Sequence, residues 1–265
     1  MTNRIEQKFH QLRREGKKAF IPFITAGDPD LETTRRLALE FDRLGADILE
    51  LGVPFSDPLA DGPTIQAASQ RALENKVKVK DVFHLVKKIR ERTDIPLVLL
   101  TYYNLISRLG PQKFAAQAKQ AGADGIIVPD LPMEEAGELC KAAQENDLAV
   151  IFLLAPTSDS RRIKKIASLS GGFIYYVSLT GTTGARQSLP QGLTDKLGQI
   201  KKITTKPVCV GFGVSSPAQA KQIAKIADGV IVGSAIIKII EKNLGRGDLV
   251  ENTVRFVRTL REAVQ

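Results

Sequence analysis

Glu50, Asp57 and Asp61 stand in one stretch, LELGVPFSDPLADGP, residues 49–63, where a strand pattern runs into a loop punctuated by Pro and Gly. Carboxylates at the mouth of a buried strand are candidate general acids and bases. Period-two alternation over Ala46 to Gly52 puts Leu49 and Leu51 on one face and Ile48, Glu50 and Gly52 on the other. If the second face looks into a barrel, Glu50 sits in an apolar funnel where desolvation raises its pKa towards the range useful for proton transfer. The competing reading is a carboxylate held by a buried cation, but no Arg or Lys stands at a neighbouring strand end to supply one. Asp57 precedes Pro58 and Asp61 precedes Gly62, positions where Asp commonly makes a turn. Asp130, between Pro129 and Leu131, is equally open between turn and chemistry.

The elements that must position these groups alternate along the chain. Strand patterns cover 20–25, 46–52, 96–102, 125–129, 149–154, 173–177, 207–211 and 229–232. Helical periodicity covers 31–44, 64–74, 79–92, 111–121, 133–146, 160–169, 191–203 and 217–226. The strands are short and nearly all apolar, as expected when both faces are buried and pairing is parallel. A weak repeat supports this: Leu44-Gly45-Ala46-Asp47, Ala121-Gly122-Ala123-Asp124-Gly125 and Ile226-Ala227-Asp228-Gly229 each stand between a helix end and a strand start, with Gly read as a left-handed cap. The α/β class follows, as a single (β/α)8 TIM barrel with short extra helices. It spans residues 1–265 as one catalytic domain, with the site on the loops after the strands. An open doubly wound sheet is the alternative, but no Gly-x-Gly-x-x-Gly fingerprint follows the first strand.

Composition narrows the function class. The chain has 265 residues, 43% of them hydrophobic, a formal net charge of +9, 6% aromatics and no Trp. Its basic runs, such as Lys87-Lys88-Ile89-Arg90, read as solvated helix faces, and they lack the interleaved aromatics of single-strand binders, so nucleic acid is set aside. Cys140 and Cys209 fall in a helix and a strand pattern and read as buried free thiols of a reducing compartment. Met1 to Lys18 has no signal-like apolar segment, and no run is long enough to span a membrane. A cytoplasmic protein without membrane partners is expected.

The strand ends carry Thr25, Glu50, Tyr102 and Asn104, Asp130, Ala155, Ser178, Phe212, and Gly233 with Ser234. No Lys stands there, which argues against a Schiff-base aldolase. Neither His10 nor His84 is near, and no cluster has metal-ligand spacing, so no metal is expected. Carboxylate acid/base work remains, with Glu50 and Asp61 as the pair. A phosphate signal is spread over three further loops: residues 178–186, which read as a mobile lid over 178–189; Gly211-Phe212-Gly213; and Gly233-Ser234, opening a short extra helix. Glycines let backbone N–H groups approach an anion, and a helix N-terminus adds its dipole.

Four segments, LELGVPFSDPLADGPTIQ at 49–66, FIPFITAGDP at 20–29, YYVSLTGTTG at 175–184 and GFGVSSPAQA through VGSAIIKII at 211–240, resemble the tryptophan synthase alpha subunit family nearly from end to end. The resemblance implies a lyase that splits indole-3-glycerol phosphate into indole and glyceraldehyde 3-phosphate, with no cofactor in this chain. It also implies a beta subunit carrying pyridoxal phosphate, joined in an alpha2-beta2 heterotetramer. By motif position it makes Glu50 the acid/base at the indole carbon and glycerol hydroxyl, with Asp61 at the indole N–H. Gly184, Gly213, Gly233 and Ser234 match phosphate positions. Thr183 and Tyr175 match positions that orient the carboxylates, and Phe23, Leu100, Tyr102, Ile127 and Phe212 match the indole pocket. Thr182 departs from the family's usual Val in the lid. The exposed loop Pro54 to Pro63, with Phe55, Asp57 and Leu59, is the expected partner-facing tip. A partner-dependent activating subunit with weak activity of its own, a stand-alone lyase and another barrel chemistry on a phosphorylated sugar stay open beside the leading reading.

Overall fold

A computed structural model describes residues 3–177, 192–211 and 213–265. The strands are β1 Ala19–Thr25, β2 Leu49–Gly52, β3 Leu97–Leu100, β4 Gly125–Ile127, β5 Ala149–Ile151, β6 Leu153–Leu154, β7 Ile174–Val177, β8 Val208–Gly211 and β9 Gly229–Val232. They form one sheet in the order β5-β4-β3-β2-β1-β9-β8-β7-β6, and every pair is parallel. The two ends of that order are consecutive in the chain and separated only by Phe152, so the sheet wraps into a barrel with eight strand positions. The anticipated strand 149–154 is therefore present but interrupted: Phe152 N–H donates to the Ser170 hydroxyl at 3.0 Å rather than to a neighbouring strand.

The helices are α1 Arg4–Glu15, α2 Leu31–Arg43, α3 Pro63–Glu74, α4 Val79–Arg90, α5 Tyr103–Leu109, α6 Pro111–Ala121, α7 Gly137–Glu145, α8 Ser160–Leu169, α9 Leu193–Ile203, α10 Pro217–Ala224, α11 Ser234–Lys242 and α12 Leu249–Val264. Local chemistry sets several starts: Asp30, Asp159 and Ser216 cap α2, α8 and α10 by accepting a backbone N–H, and Pro opens α3, α6 and α10. Among the described residues no helix is long and apolar enough to cross a membrane.

Two cores follow from strand alternation. Leu49, Leu51, Leu97 and Leu99 point outward into the layer beneath the helices. Ile21, Ile48, Val98, Ile127, Ile151, Cys209 and Ile231 fill the barrel, and Ile5, Phe9 and Leu12 of α1 close its base. The Phe9 and Phe173 rings lie 5.6 Å apart there. Three elements lie outside the sequence expectation: α1, α5 and α12. In α1 and α12 a narrow apolar stripe is hidden among charges, Ile5, Phe9 and Leu12 in one and Leu249, Val257, Leu260 and Val264 in the other.

The repeat has a more specific meaning than a glycine cap. Asp47, Asp124 and Asp228 each accept an N–H from the first or second residue of a neighbouring strand, from Phe20 at 2.9 Å, Leu97 at 2.9 Å and Val208 at 3.0 Å. Gly45 and Gly122 do take positive φ. Gly229 does not; it is a strand residue, where a Cβ would come within 2.6 Å of Cys209 Sγ. Asp124 also pairs with Arg90 at 2.8 Å and Arg4 at 3.0 Å, tying α4 and α1 to the barrel base.

Asp124→Ala strands the Leu97 N–H and deprives Arg90 of its carboxylate. A loss of about 3–5 kcal/mol is expected. It is read as a lower chemical-denaturation midpoint; an unchanged midpoint contradicts the role.

Candidate active site

β2 delivers Glu50 into the upper barrel, in register with Phe23 on one side and Val98 on the other. The side chain is buried, at 1% exposure, and Oε2 has no hydrogen-bond partner among the described residues. No ion pair reaches Glu50 among those residues, and no cation there lowers its pKa. Burial, and then the Asp61 charge, push its pKa up to about 8. A carboxyl in this condition is a neutral acid at neutral pH.

Asp61 comes from the loop between β2 and α3. Its Oδ2 accepts the Tyr102 hydroxyl at 3.0 Å, and that hydroxyl accepts the Ala60 N–H at 3.2 Å. Gln66 of α3 donates to the Asp61 carbonyl at 2.8 Å. Burial raises Asp61 to about 6, against the Tyr102 bond that lowers it. The two carboxyls are thus set apart, one protonated and one largely ionised at neutral pH, as an acid and an anion must be to work side by side. Tyr175 of β7 is also buried, its phenol pushed up by burial, then by the charges of Glu50 and Asp61.

Glycines make room for the rings. A Cβ on Gly52 would meet the Phe23 ring at 2.7 Å, and one on Gly211 would meet the Tyr175 hydroxyl at 2.4 Å. Phe23 also lies beside Gly233, so its ring spans from the Glu50 strand to the start of α11. Ile127 is buried in the inner core, with Leu100 at its edge. Gly213, with φ of 79°, and Ser234 are exposed at the same end. Gly233 caps α11 through its backbone, and no side chain caps that helix start. Its first N–H groups lack partners within the helix, as at any helix start.

The expected site residues divide accordingly. Glu50, Asp61, Tyr102 and Tyr175 come together, and Phe23 joins them to Gly233. Thr182, Thr183, Gly184 and Phe212, with the rest of the 178–189 loop, lie outside the described residues. Tyr102 is more than a pocket wall, since its hydroxyl holds Asp61 while its ring stacks on Phe55 at 5.1 Å. Phe55 is consequently half-buried rather than an exposed tip; Leu59, at 83% exposure, and Asp57 are among the exposed members of that loop. Asp130 is a turn-former: it accepts the Tyr103 N–H, at 3.0 and 3.2 Å, and starts α5. Sequence reasoning missed the Tyr102–Asp61 bond and Arg71, which pairs with buried Asp28. A lone Arg on a helix face gives no local signal for such a role. Among the described residues no group of three or more His, Cys, Asp or Glu could hold a metal ion.

The sequence profile of the family described as tryptophan synthase alpha chain matches residues 9–265. A tryptophan synthase alpha chain from Caldanaerobacter subterraneus subsp. tengcongensis is 48% identical, covering 99% of this chain and 100% of its own length. One from Geotalea daltonii is 52% identical, covering 92% of each. Among solved structures, tryptophan synthase subunit alpha from Legionella pneumophila superposes with a TM-score of 0.92 at 39% identity, over 100% of this chain and 99% of its own. A chain of Mycobacterium tuberculosis tryptophan synthase gives 0.91 at 36% identity, over 100% and 99%.

The raised Glu50 pKa has a stability consequence. Between its ordinary value of 4.5 and about 8, the folded chain keeps a proton that the unfolded chain has released. Stability contributed by Glu50 therefore falls as pH rises through that window. Glu50→Gln, uncharged throughout, is expected to match the parent near pH 4.5 and exceed its denaturation midpoint at pH 8. Parallel pH profiles for the two proteins contradict a neutral buried acid.

Proposed function

The chain belongs to the tryptophan synthase alpha chain family, whose subunit cleaves indole-3-glycerol phosphate in tryptophan biosynthesis, and we propose that Glu50 and Asp61 carry the proton transfers of that cleavage. It is a lyase, and the observation that supports the assignment is the buried Glu50, whose Oε2 has no partner among the described residues, with its pKa raised by burial and by Asp61.

The reaction is a reverse aldol. Glu50 donates its proton to the indole carbon that bears the glycerol chain, and the ring nitrogen takes up positive charge. Asp61, held by Tyr102, accepts the hydrogen bond of that N–H and stabilises the charge as it develops. Glu50, now a carboxylate, removes the proton from the adjacent glycerol hydroxyl; the carbon–carbon bond breaks, its electron pair returns to the ring, and the hydroxyl carbon becomes the aldehyde. One proton moves from hydroxyl to ring and Glu50 is regenerated, so the chemistry needs no co-reactant. Each placed acid or base typically contributes about 10²- to 10⁴-fold.

The phosphate docks at the start of α11 on Gly233 and Ser234, with Gly213 beside it and Gly184 completing the cradle from the lid. Phe23, Leu100, Tyr102, Ile127 and Phe212 enclose the indole, while Tyr175 and Thr183 orient the carboxylates. The family name carries a beta chain as partner. The finer reading is an alpha2-beta2 assembly in the cytoplasm, with pyridoxal phosphate in the beta chain and Leu59 and Asp57 at the contact. The exposed Leu59 supports partner-dependent activity as a second reading, because it lies on the same short loop as Asp61.

Indole release from indole-3-glycerol phosphate tests the assignment. Glu50→Gln is expected to lose at least about 10²-fold in kcat. The kcat/KM profile is expected to rise through about pH 6 and fall through about pH 8. A substrate phosphate also titrates near the lower limb. Tyr102→Phe is therefore the discriminating variant: it removes the bond that lowers Asp61 and moves that limb upward. A lower limb unmoved by Tyr102→Phe contradicts the role of Asp61.

A further inference from the structure

α3 begins two residues after Asp61, and Gln66 in its first turn holds the Asp61 carbonyl. Further along the same helix, Arg71 spreads one guanidinium over two other elements. Its Nε and Nη2 donate to the two carboxylate oxygens of Asp28, at 2.7 and 2.9 Å, and its Nη1 donates to Glu241 Oε1 at 3.2 Å. Asp28 lies just beyond β1, the strand that carries Phe23, and its side chain is completely buried. Glu241 lies on α11, the helix whose first residue is Ser234. Among the described residues no other side-chain hydrogen bond joins α3 to α11.

The bidentate geometry suits arginine and no other side chain, since only a planar fork can fill both oxygens of one carboxylate and still reach a second. The end of α3 is also docked on the β1–α2 loop. Asn75 Nδ2 donates to the Pro29 carbonyl at 2.5 Å, and a Cβ on Gly27 would meet Val77 Cγ2 at 2.6 Å. The Asp28 arm is thus the fixed anchor, and the Glu241 arm reaches the helix at the other end of the site.

We infer that Arg71 is a positioning residue for the cleavage, fixing the distance between the Asp61 end of the site and the phosphate end at α11. The inference rests on the assignment of phosphate to Gly233 and Ser234. Neither Arg71 nor Glu241 touches the reacting atoms. Their effect is on whether one substrate, held at its phosphate, meets both carboxyls in line.

The test uses the full chain. Glu241→Gln weakens a partly exposed pair, so it leaves the denaturation midpoint unchanged. It is expected to lower kcat for indole-3-glycerol phosphate about 5- to 10-fold, within the range that small misplacements cost. The dissociation constant for inorganic phosphate stays within about twofold, because the phosphate cradle itself is intact. Arg71→Lys keeps the charge but loses the fork, and gives the same kcat loss. The double variant Arg71→Lys, Glu241→Gln loses no more than Arg71→Lys alone. A Glu241→Gln enzyme with parental kcat, or additive losses in the double variant, overturns the inference. Failure of the underlying phosphate assignment looks different: Ser234→Asp, which sets a negative charge at the helix start, then leaves phosphate affinity unchanged, and the inference falls with it.

Discussion

Everything in the upper barrel answers to one constraint: a carboxyl group must be kept out of water, without a cation, beside a second carboxyl. Burying an unpaired carboxylate is costly enough that the group keeps its proton instead. β2 imposes this on Glu50 by its register alone, because the alternation that sends Leu49 and Leu51 into the outer layer sends Glu50 into the funnel. The walls complete the exclusion. Phe23 fills the space left by Gly52, and Tyr175 fills the space left by Gly211. Asp61 escapes the same fate because Tyr102 stabilises its anion and because it enters from a loop nearer to solvent. The result is two carboxyls of one chemical type in two protonation states.

Such a site is only as stable as the cylinder beneath it. The base of the barrel is closed by α1 and clamped by Asp47, Asp124 and Asp228, each tying a strand start to its neighbour. The top is left to glycines, loops and helix starts. This division places the strongest local order at the end of the barrel away from the chemistry, and the freedom to admit substrate at the other. Arg71 adds a charged tie among the elements of the top.

Much of this was legible in the residues. Glu50 was marked by standing on the inward face of a strand that ends in Gly, and the barrel by the regular exchange of short apolar strands for helices. The repeat around Asp47, Asp124 and Asp228 was visible, though its function was not, since a hydrogen bond across a strand pair leaves no trace in either strand alone. α1 and α12 escaped because their buried stripes are narrow and their remaining faces heavily charged. Phe55 shows the opposite limit: an apolar residue in a loop suggests an open surface, whereas its ring is half-buried against that of Tyr102. Arg71 was out of reach altogether, as its partners lie 43 and 170 residues away in the chain.

The central claim is that Glu50 stands protonated at neutral pH in the folded chain, and direct titration of that carboxyl tests it most closely. Protein carrying 13C-carboxyl glutamate, compared with Glu50→Gln to assign the resonance, reports the midpoint by NMR. A midpoint near 8 is the expected result. A midpoint in the ordinary glutamate range, near 4.5, contradicts the account.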